Sequence, residues 1–131
     1  MKRLNILILA AGKGSRLGEI TKKKPKILIK IKGKTIIEHQ LDIYSQLKNK
    51  DIFIVGGYKI KKLKRFLNKQ KIQIIENKNF NTTNMYYSFL IAKKLMNEKR
   101  DLLVVYGDII FKKYLYFALV SSRKLLYSND K

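Results

Sequence analysis

Nearly continuous apolar runs recur four times along this chain: residues 4–9 (LNILIL), 51–55 (DIFIV), 72–75 (IQII) and 102–105 (LLVV). Such runs lack the strict alternation of a half-solvated strand, and they predict strands buried on both faces. Between and after them, apolar positions recur at helical spacing. Ile36, Ile37, Leu41, Ile43, Tyr44 and Leu47 mark a helix over residues 36–47, with Thr35 as its cap after a turn at Gly33-Lys34. Ile60, Leu63 and Leu67 mark a basic helix over 60–67, and Met85, Phe89, Leu90, Ala92 and Leu95 mark a third over 84–96. Leu115, Leu119 and Leu126 belong to a fourth over 112–127, and residues 27–31 (ILIKI) read as a short extended piece. Strand followed by helix, four times over, predicts an α/β domain. Its mainly parallel sheet would form the middle of a three-layer sandwich.

A parallel sheet gathers the loops that leave its strands onto one edge. Four stretches meet there on this reading: the loop after residue 9, Gly56-Gly57, residues 81–84 and Asp108. The first is the richest. Ala10, Ala11, Gly12, Lys13, Gly14, Ser15 and Arg16 follow the strand directly. Small residues let the backbone pass close to a ligand, and glycines open unusual φ/ψ. Bare N–H groups in such a loop cradle phosphate, and Arg16 adds a planar charged fork suited to it. Lys26, after Pro25, adds a second cation at a stiff bend. Two common phosphate loops are excluded by spacing. The pattern G-x-x-x-x-G-K-[ST] is absent, and in G-x-G-x-x-G the third glycine is replaced by Leu17. By itself the loop also fits a strand-to-helix turn without a ligand.

Asp108 is the only carboxylate that follows a core strand beside a glycine. One carboxylate with triphosphate oxygens is a normal magnesium site, and a helix N-cap is the other reading. Composition narrows the chemistry further. The chain has 131 residues, no cysteine and one histidine, His39. Disulfides, thiolate nucleophiles and multi-histidine metal centres are therefore excluded. The basic, apolar start superficially resembles a signal peptide, but it runs into the glycine loop in the register of a first strand. No run is long enough to span a membrane, and the expected location is cytoplasmic. The net charge of +21 favours anionic partners, yet the lysines are spread along the whole chain. No RNP-like, KH-like or helix-turn-helix pattern accompanies them, so a nucleic-acid surface is the less favoured use of that charge.

Taken together, AAGKGSRL at residues 10–17 and TKKKPKIL at 21–28 resemble the signature of nucleotidyltransferases that join a nucleoside triphosphate to a sugar phosphate or phosphocholine. NFNTTNMYYSF at 79–89 resembles the N-x-x-T-N-M-x-x-S-L segment of bacterial choline-phosphate cytidylyltransferases, and VYGDII at 105–110 resembles their Y-G-D-I. The resemblance implies a Rossmann-like fold of the nucleotide-diphospho-sugar transferase type. It implies one nucleotide-binding domain over residues 1–131, truncated at its C-terminal side, because only the first half of the family is covered. Later strands, much of the acceptor pocket and usually a second metal-binding aspartate belong to the other half.

The resemblance also implies roles. Residues 10–16 (Ala10, Ala11, Gly12, Lys13, Gly14, Ser15 and Arg16) would hold the nucleotide, together with Gly57. Asn84 and Ser88 would face a pyrimidine base, with CTP the favoured nucleotide. Arg16, Lys26 and Asp108 would be catalytic, with Asp108 holding Mg²⁺. The implied reaction transfers a nucleotidyl group to a phosphorylated acceptor and releases pyrophosphate. Three alternatives remain open: a non-catalytic nucleotide-binding remnant, a subunit of a split enzyme, and a basic nucleic-acid-binding protein. An exposed apolar strip on the strand over 102–105 is a corollary, and so is association through that edge, for instance as a homo-oligomer.

Overall fold

The computed structural model describes residues 3–110, and the helix expected over 112–127 lies outside the described residues. In chain order the elements are β1 (Leu4–Ala10), β2 (Lys30–Ile31), β3 (Lys34–Thr35), α1 (Ile36–Tyr44), β4 (Lys50–Gly56), α2 (Ile60–Phe66), β5 (Ile72–Glu76), α3 (Met85–Lys93) and β6 (Asp101–Tyr106). Two 3₁₀ segments, Ser15–Thr21 and Lys26–Leu28, lie between β1 and β2.

The four long strands form one parallel sheet in the order β5-β4-β1-β6. Ile6 pairs with Ile52 on one side and Leu103 on the other, and Leu9 pairs with Val55 and Tyr106. The chain steps outward from β1 to β4 to β5, then returns to place β6 on the other side of β1. Crossovers of fixed hand that advance in opposite directions deposit their helices on opposite faces. The packing follows that rule. Leu4, Ile6 and Ile8 of β1 pack in one cluster with Ile37 and Tyr44 of α1 and with Leu63 of α2. Leu7 and Leu9 point the other way, into a cluster with Ala92 of α3 and Met96. Each such side chain removed from water contributes about 1.5–3 kcal/mol, so one strand buried on both faces anchors both layers. The three-layer parallel sandwich expected from the apolar runs is thus the observed architecture, with β1 interior at the point where the strand order reverses.

Thr35 and Glu38 form a reciprocal capping box at the start of α1. Departures from the sequence expectations are local. Residues 27–31 are not one extended piece. Leu28 N–H donates to Pro25 O and Ile29 N–H to Lys26 O, both at 3.0 Å, which winds Lys26–Leu28 into a 3₁₀ turn. Only Lys30 and Ile31 extend, pairing antiparallel with Lys34 and Thr35 across a turn containing Gly33. The first helix ends at Tyr44 instead of residue 47, and the third at Lys93 instead of residue 96. On α3, Ala92 is buried as expected and Ser88 joins it, whereas Met85, Leu90 and Leu95 are exposed. On β6 the apolar strip is present, with Leu102, Val104 and Tyr106 between 41% and 49% exposed.

The two edges of the sheet are built differently. At the edge where the strands begin, Arg3 donates from Nε and Nη2 to the two oxygens of Asp51 at 2.6 and 2.8 Å. Arg100 Nη1, just before β6, donates to the same carboxylate. The strand-ending edge carries the loops described next.

Candidate functional site

The loop after β1 is held from both ends by one residue. Tyr58, just past β4, donates its N–H to Ala11 O at 3.1 Å and its hydroxyl to Thr21 O at 2.7 Å. Inside that span, Thr21 Oγ1 donates to Gly14 O at 3.0 Å and to Gly18 O at 3.3 Å. Gly14 sits at φ 64°, ψ 36°, left-handed backbone that suits glycine. The N–H groups of Gly12, Lys13 and Gly14 make no hydrogen bond among the described residues. The result is a fixed loop with donors to spare, which is the chemistry of an anion cradle.

Lys26 and Asp108 meet beside this loop. Lys26 Nζ lies 3.0 Å from Asp108 Oδ2, although 82 positions separate them in sequence. Buried Pro25 and the 3₁₀ turn aim the lysine. Asp108 is carried on a turn after β6, where Gly107 N–H donates to Leu9 O at 2.8 Å. Lys26 and Asp108 both line a cleft of about 200 Å³, together with Ala10, Gly12, Gly14, Gly107 and Met85 of α3.

The structure therefore collects Ala10, Gly12, Gly14, Lys26 and Asp108 at one cleft. Lys13, Ser15 and Arg16 occupy the solvent side of the same loop, and Arg16 has no ion pair among the described residues. Lys13 Nζ lies 6.0 Å from the centre of the Tyr58 ring. Ala11 is buried beneath the loop. Gly57 is buried too: a Cβ there would lie 2.7 Å from Phe80 Cβ and 2.9 Å from Asn77 O. Asn84 caps α3, its Oδ1 accepting from Tyr87 N–H at 3.1 Å, next to cleft-lining Met85. Ser88 lies inward, 2% exposed, and its Oγ accepts from Asn77 Nδ2 at 3.1 Å.

Two organising residues escape a reading of the sequence. Asn77, 1% exposed, donates from Nδ2 to Thr83 Oγ1 and Ser88 Oγ, and its Oδ1 accepts from Asn79 N–H. A single asparagine after a strand, the only signal, reads as a plain turn. Gln40 of α1, also 1% exposed, reaches the Asp108 turn, and nothing in a helical pattern announces that.

Among the described residues there is no cluster of three or more acidic or histidine side chains that could hold a metal. Asp108 is a lone, half-exposed carboxylate paired with an ammonium. That donor set fits Mg²⁺, which takes one or two carboxylates and completes its shell with phosphate oxygens and water. No helix among the described residues is long and apolar enough to cross a membrane.

A parallel sheet bearing a glycine loop, a lysine and an aspartate at its reversal point defines a Rossmann-like α/β domain of the nucleotide-handling class. Residues 6–126 match the MobA-like NTP transferase domain family, and the chain belongs to that family. It is 36% identical over 128 residues to the CTP:phosphoglutamine cytidylyltransferase of Campylobacter jejuni, covering 94% of this chain and 51% of that protein. It is 35% identical over 130 residues to the bifunctional protein GlmU of Buchnera aphidicola, covering 99% of this chain and 26% of that one. The structure of the CTP:phosphocholine cytidylyltransferase of Streptococcus pneumoniae superposes with a TM-score of 0.73 at 28% identity, over 81% of this chain and 45% of that one. The chain thus spans about half the length of these cytidylyltransferases.

Proposed function

We propose that this domain binds a nucleoside triphosphate, CTP by preference, and transfers its nucleotidyl group to a phosphorylated acceptor such as phosphocholine or a sugar phosphate. The observation that carries the reading is the meeting of Lys26 and Asp108, 3.0 Å apart, at the mouth of the glycine-loop cleft. A helix cap would not need a lysine brought there from a separate buried turn.

In this reading the free N–H groups of Gly12, Lys13 and Gly14, with Arg16, hold the β- and γ-phosphates. An acceptor phosphate oxygen forms a bond to the α-phosphorus. The bond to the oxygen that bridges to the β-phosphorus breaks, and its electron pair leaves with pyrophosphate. Lys26 neutralises the charge that grows near that bridging oxygen, and no protein nucleophile takes part. Asp108 would hold Mg²⁺, which when bound supplies Lewis-acid stabilisation of the phosphates. The Asn84 segment, bordering the cleft through Met85, faces the base. A cytoplasmic setting, where nucleoside triphosphates are available, fits this role.

A second reading has its own support. Among the described residues Asp108 is the one carboxylate lining the cleft, which favours a nucleotide-binding site without turnover. Pyrophosphate release from CTP in the presence of Mg²⁺ and phosphocholine or a sugar phosphate separates the two. Release that depends on Lys26 supports the enzyme. CTP binding without release supports the binding site alone, and absence of CTP binding refutes both.

A further inference from the structure

Gln40 lies within α1 with 1% of its surface exposed. Its Nε2 donates to Tyr106 O at 3.1 Å and to Ile109 O at 2.7 Å. Those two residues close a turn of their own, Ile109 N–H donating to Tyr106 O at 3.3 Å, with Gly107 and Asp108 between them. One side-chain amide therefore holds both carbonyls that bracket Asp108. The opposite side of the turn is tied to β1 by the bond from Gly107 N–H to Leu9 O.

Packing alone does not account for a glutamine here. Its helix neighbours Ile36, Ile37 and Tyr44 are buried, and an apolar side chain would suit that layer. Gln40 Oε1 has no hydrogen-bond partner among the described residues. A buried acceptor left unpaired is unfavourable, so the residue's contribution rests on its two donors. Both donors act on the turn that presents the aspartate.

We infer that Gln40 is a positioning residue: it fixes the turn so that the Asp108 carboxylate faces the cleft beside Lys26. The mechanism is spatial. The Asp108 side chain is half exposed, and among the described residues its one side-chain partner is the Lys26 ammonium, so its direction depends on its backbone. With Gln40 removed, the turn keeps one tie to β1 and loses the tie to α1, and the carboxylate gains freedom to swing out of the cleft. This inference rests on the reading of Asp108 as the magnesium-binding carboxylate.

The test is a magnesium titration of CTP affinity by calorimetry, with parallel measurements in EDTA, for wild type, Gln40→Met and Asp108→Asn. Removing a partner that orients a metal ligand commonly costs about tenfold or more in metal affinity. Gln40→Met is expected to weaken the magnesium enhancement about tenfold while affinity in EDTA stays within about twofold. A role confined to packing would lower both affinities together, and that result, or an unchanged enhancement, overturns the inference. Should Gln40→Met fail to fold, Gln40→Asn serves instead. It keeps the amide but draws it back by one methylene, and it is expected to lose part of the enhancement. A wild type without any magnesium enhancement, matched by Asp108→Asn, refutes the reading of Asp108 itself, and the inference falls with it.

Discussion

Replacing Gly57 by alanine tests the packing under the glycine loop after β1. The added Cβ would lie 2.7 Å from Phe80 Cβ, 2.9 Å from Asn77 O and 3.0 Å from Ala11 O. None of these atoms is the tip of a flexible side chain, so relief requires the β1 loop and the segment after β5 to separate. Overpacking of this kind costs about 1–3 kcal/mol. For a chain of this length each kcal/mol lowers Tm by roughly 3–5 °C, so the expected fall is roughly 3–15 °C. Gly12 supplies the contrast, because an alanine Cβ there meets no heavy atom within 4 Å. Gly12→Ala is expected to hold its Tm, since substitutions without a packing consequence stay within about 0.5 kcal/mol. Gly12 lines the cleft, so on the proposed reading of the loop as a phosphate cradle the added methyl group is expected to lower CTP affinity about tenfold, equivalent to 1.4 kcal/mol. Differential scanning fluorimetry and calorimetry on the two variants read both quantities. An unchanged Tm in Gly57→Ala, or an equal fall in Gly12→Ala, would refute this division of labour between the two glycines.

Arg16→Ala is expected to weaken CTP binding by about one to two decades, the 1.5–3 kcal/mol of a charged hydrogen bond, while CMP affinity measured by calorimetry changes little. Asn84→Asp retains a good N-cap but removes the amide donors; the preference for CTP over ATP should shrink while Tm holds, and an unaltered preference counts against a role in base recognition. At the other edge of the sheet, hydrogen bonding to Arg3 holds the Asp51 carboxyl below its ordinary value of 3.8, against the opposing effect of burial, with the charges of Arg3 and Arg100 adding to the lowering. A depressed folded pKa stabilises the fold above the ordinary value, and the benefit is lost as pH falls through the folded one. Wild type should therefore melt above Asp51→Asn at neutral pH, with the gap closing in acid melts carried below 3.8; a constant gap would remove the ionic contribution.

The order of the layers was open to a reader of the sequence because the apolar runs at Leu4–Ala10 and Lys50–Gly56 are buried on both faces, and continuous runs record that directly. The helix cap at Thr35 was equally open, since Glu38 stands three places on. Short segments were not. Ile27 and Leu28 are buried in either an extended strand or a 3₁₀ turn, and apolarity does not distinguish the two. The buried side of α3 misleads for a related reason: the helix sets Ser88 and Ala92 against the sheet, and larger apolar neighbours such as Leu90 remain outside. In the cleft, Lys26 and Asp108 were recognisable one by one, but their pairing depends on a turn and a strand end brought together across the sheet. Gln40 was hidden altogether, because its partners are backbone carbonyls and a carbonyl leaves no mark on composition.

The apolar strip of Leu102, Val104 and Tyr106 has a colloidal consequence. β6 ends the sheet among the described residues, and an outermost strand with oily side chains is adhesive. Thirty basic residues against nine acidic ones give every copy the same strong charge, so the molecules repel before their strips can touch. That protection acts through the solvent, over a screening length of about 10 Å at 0.1 M salt and about 3 Å at 1 M. Ionic strength thus becomes a dial on dispersal. The chain is therefore expected to stay apart in dilute buffer and to clump in brine, where a high-salt wash meant to strip bound anions from it would also remove what keeps it in suspension.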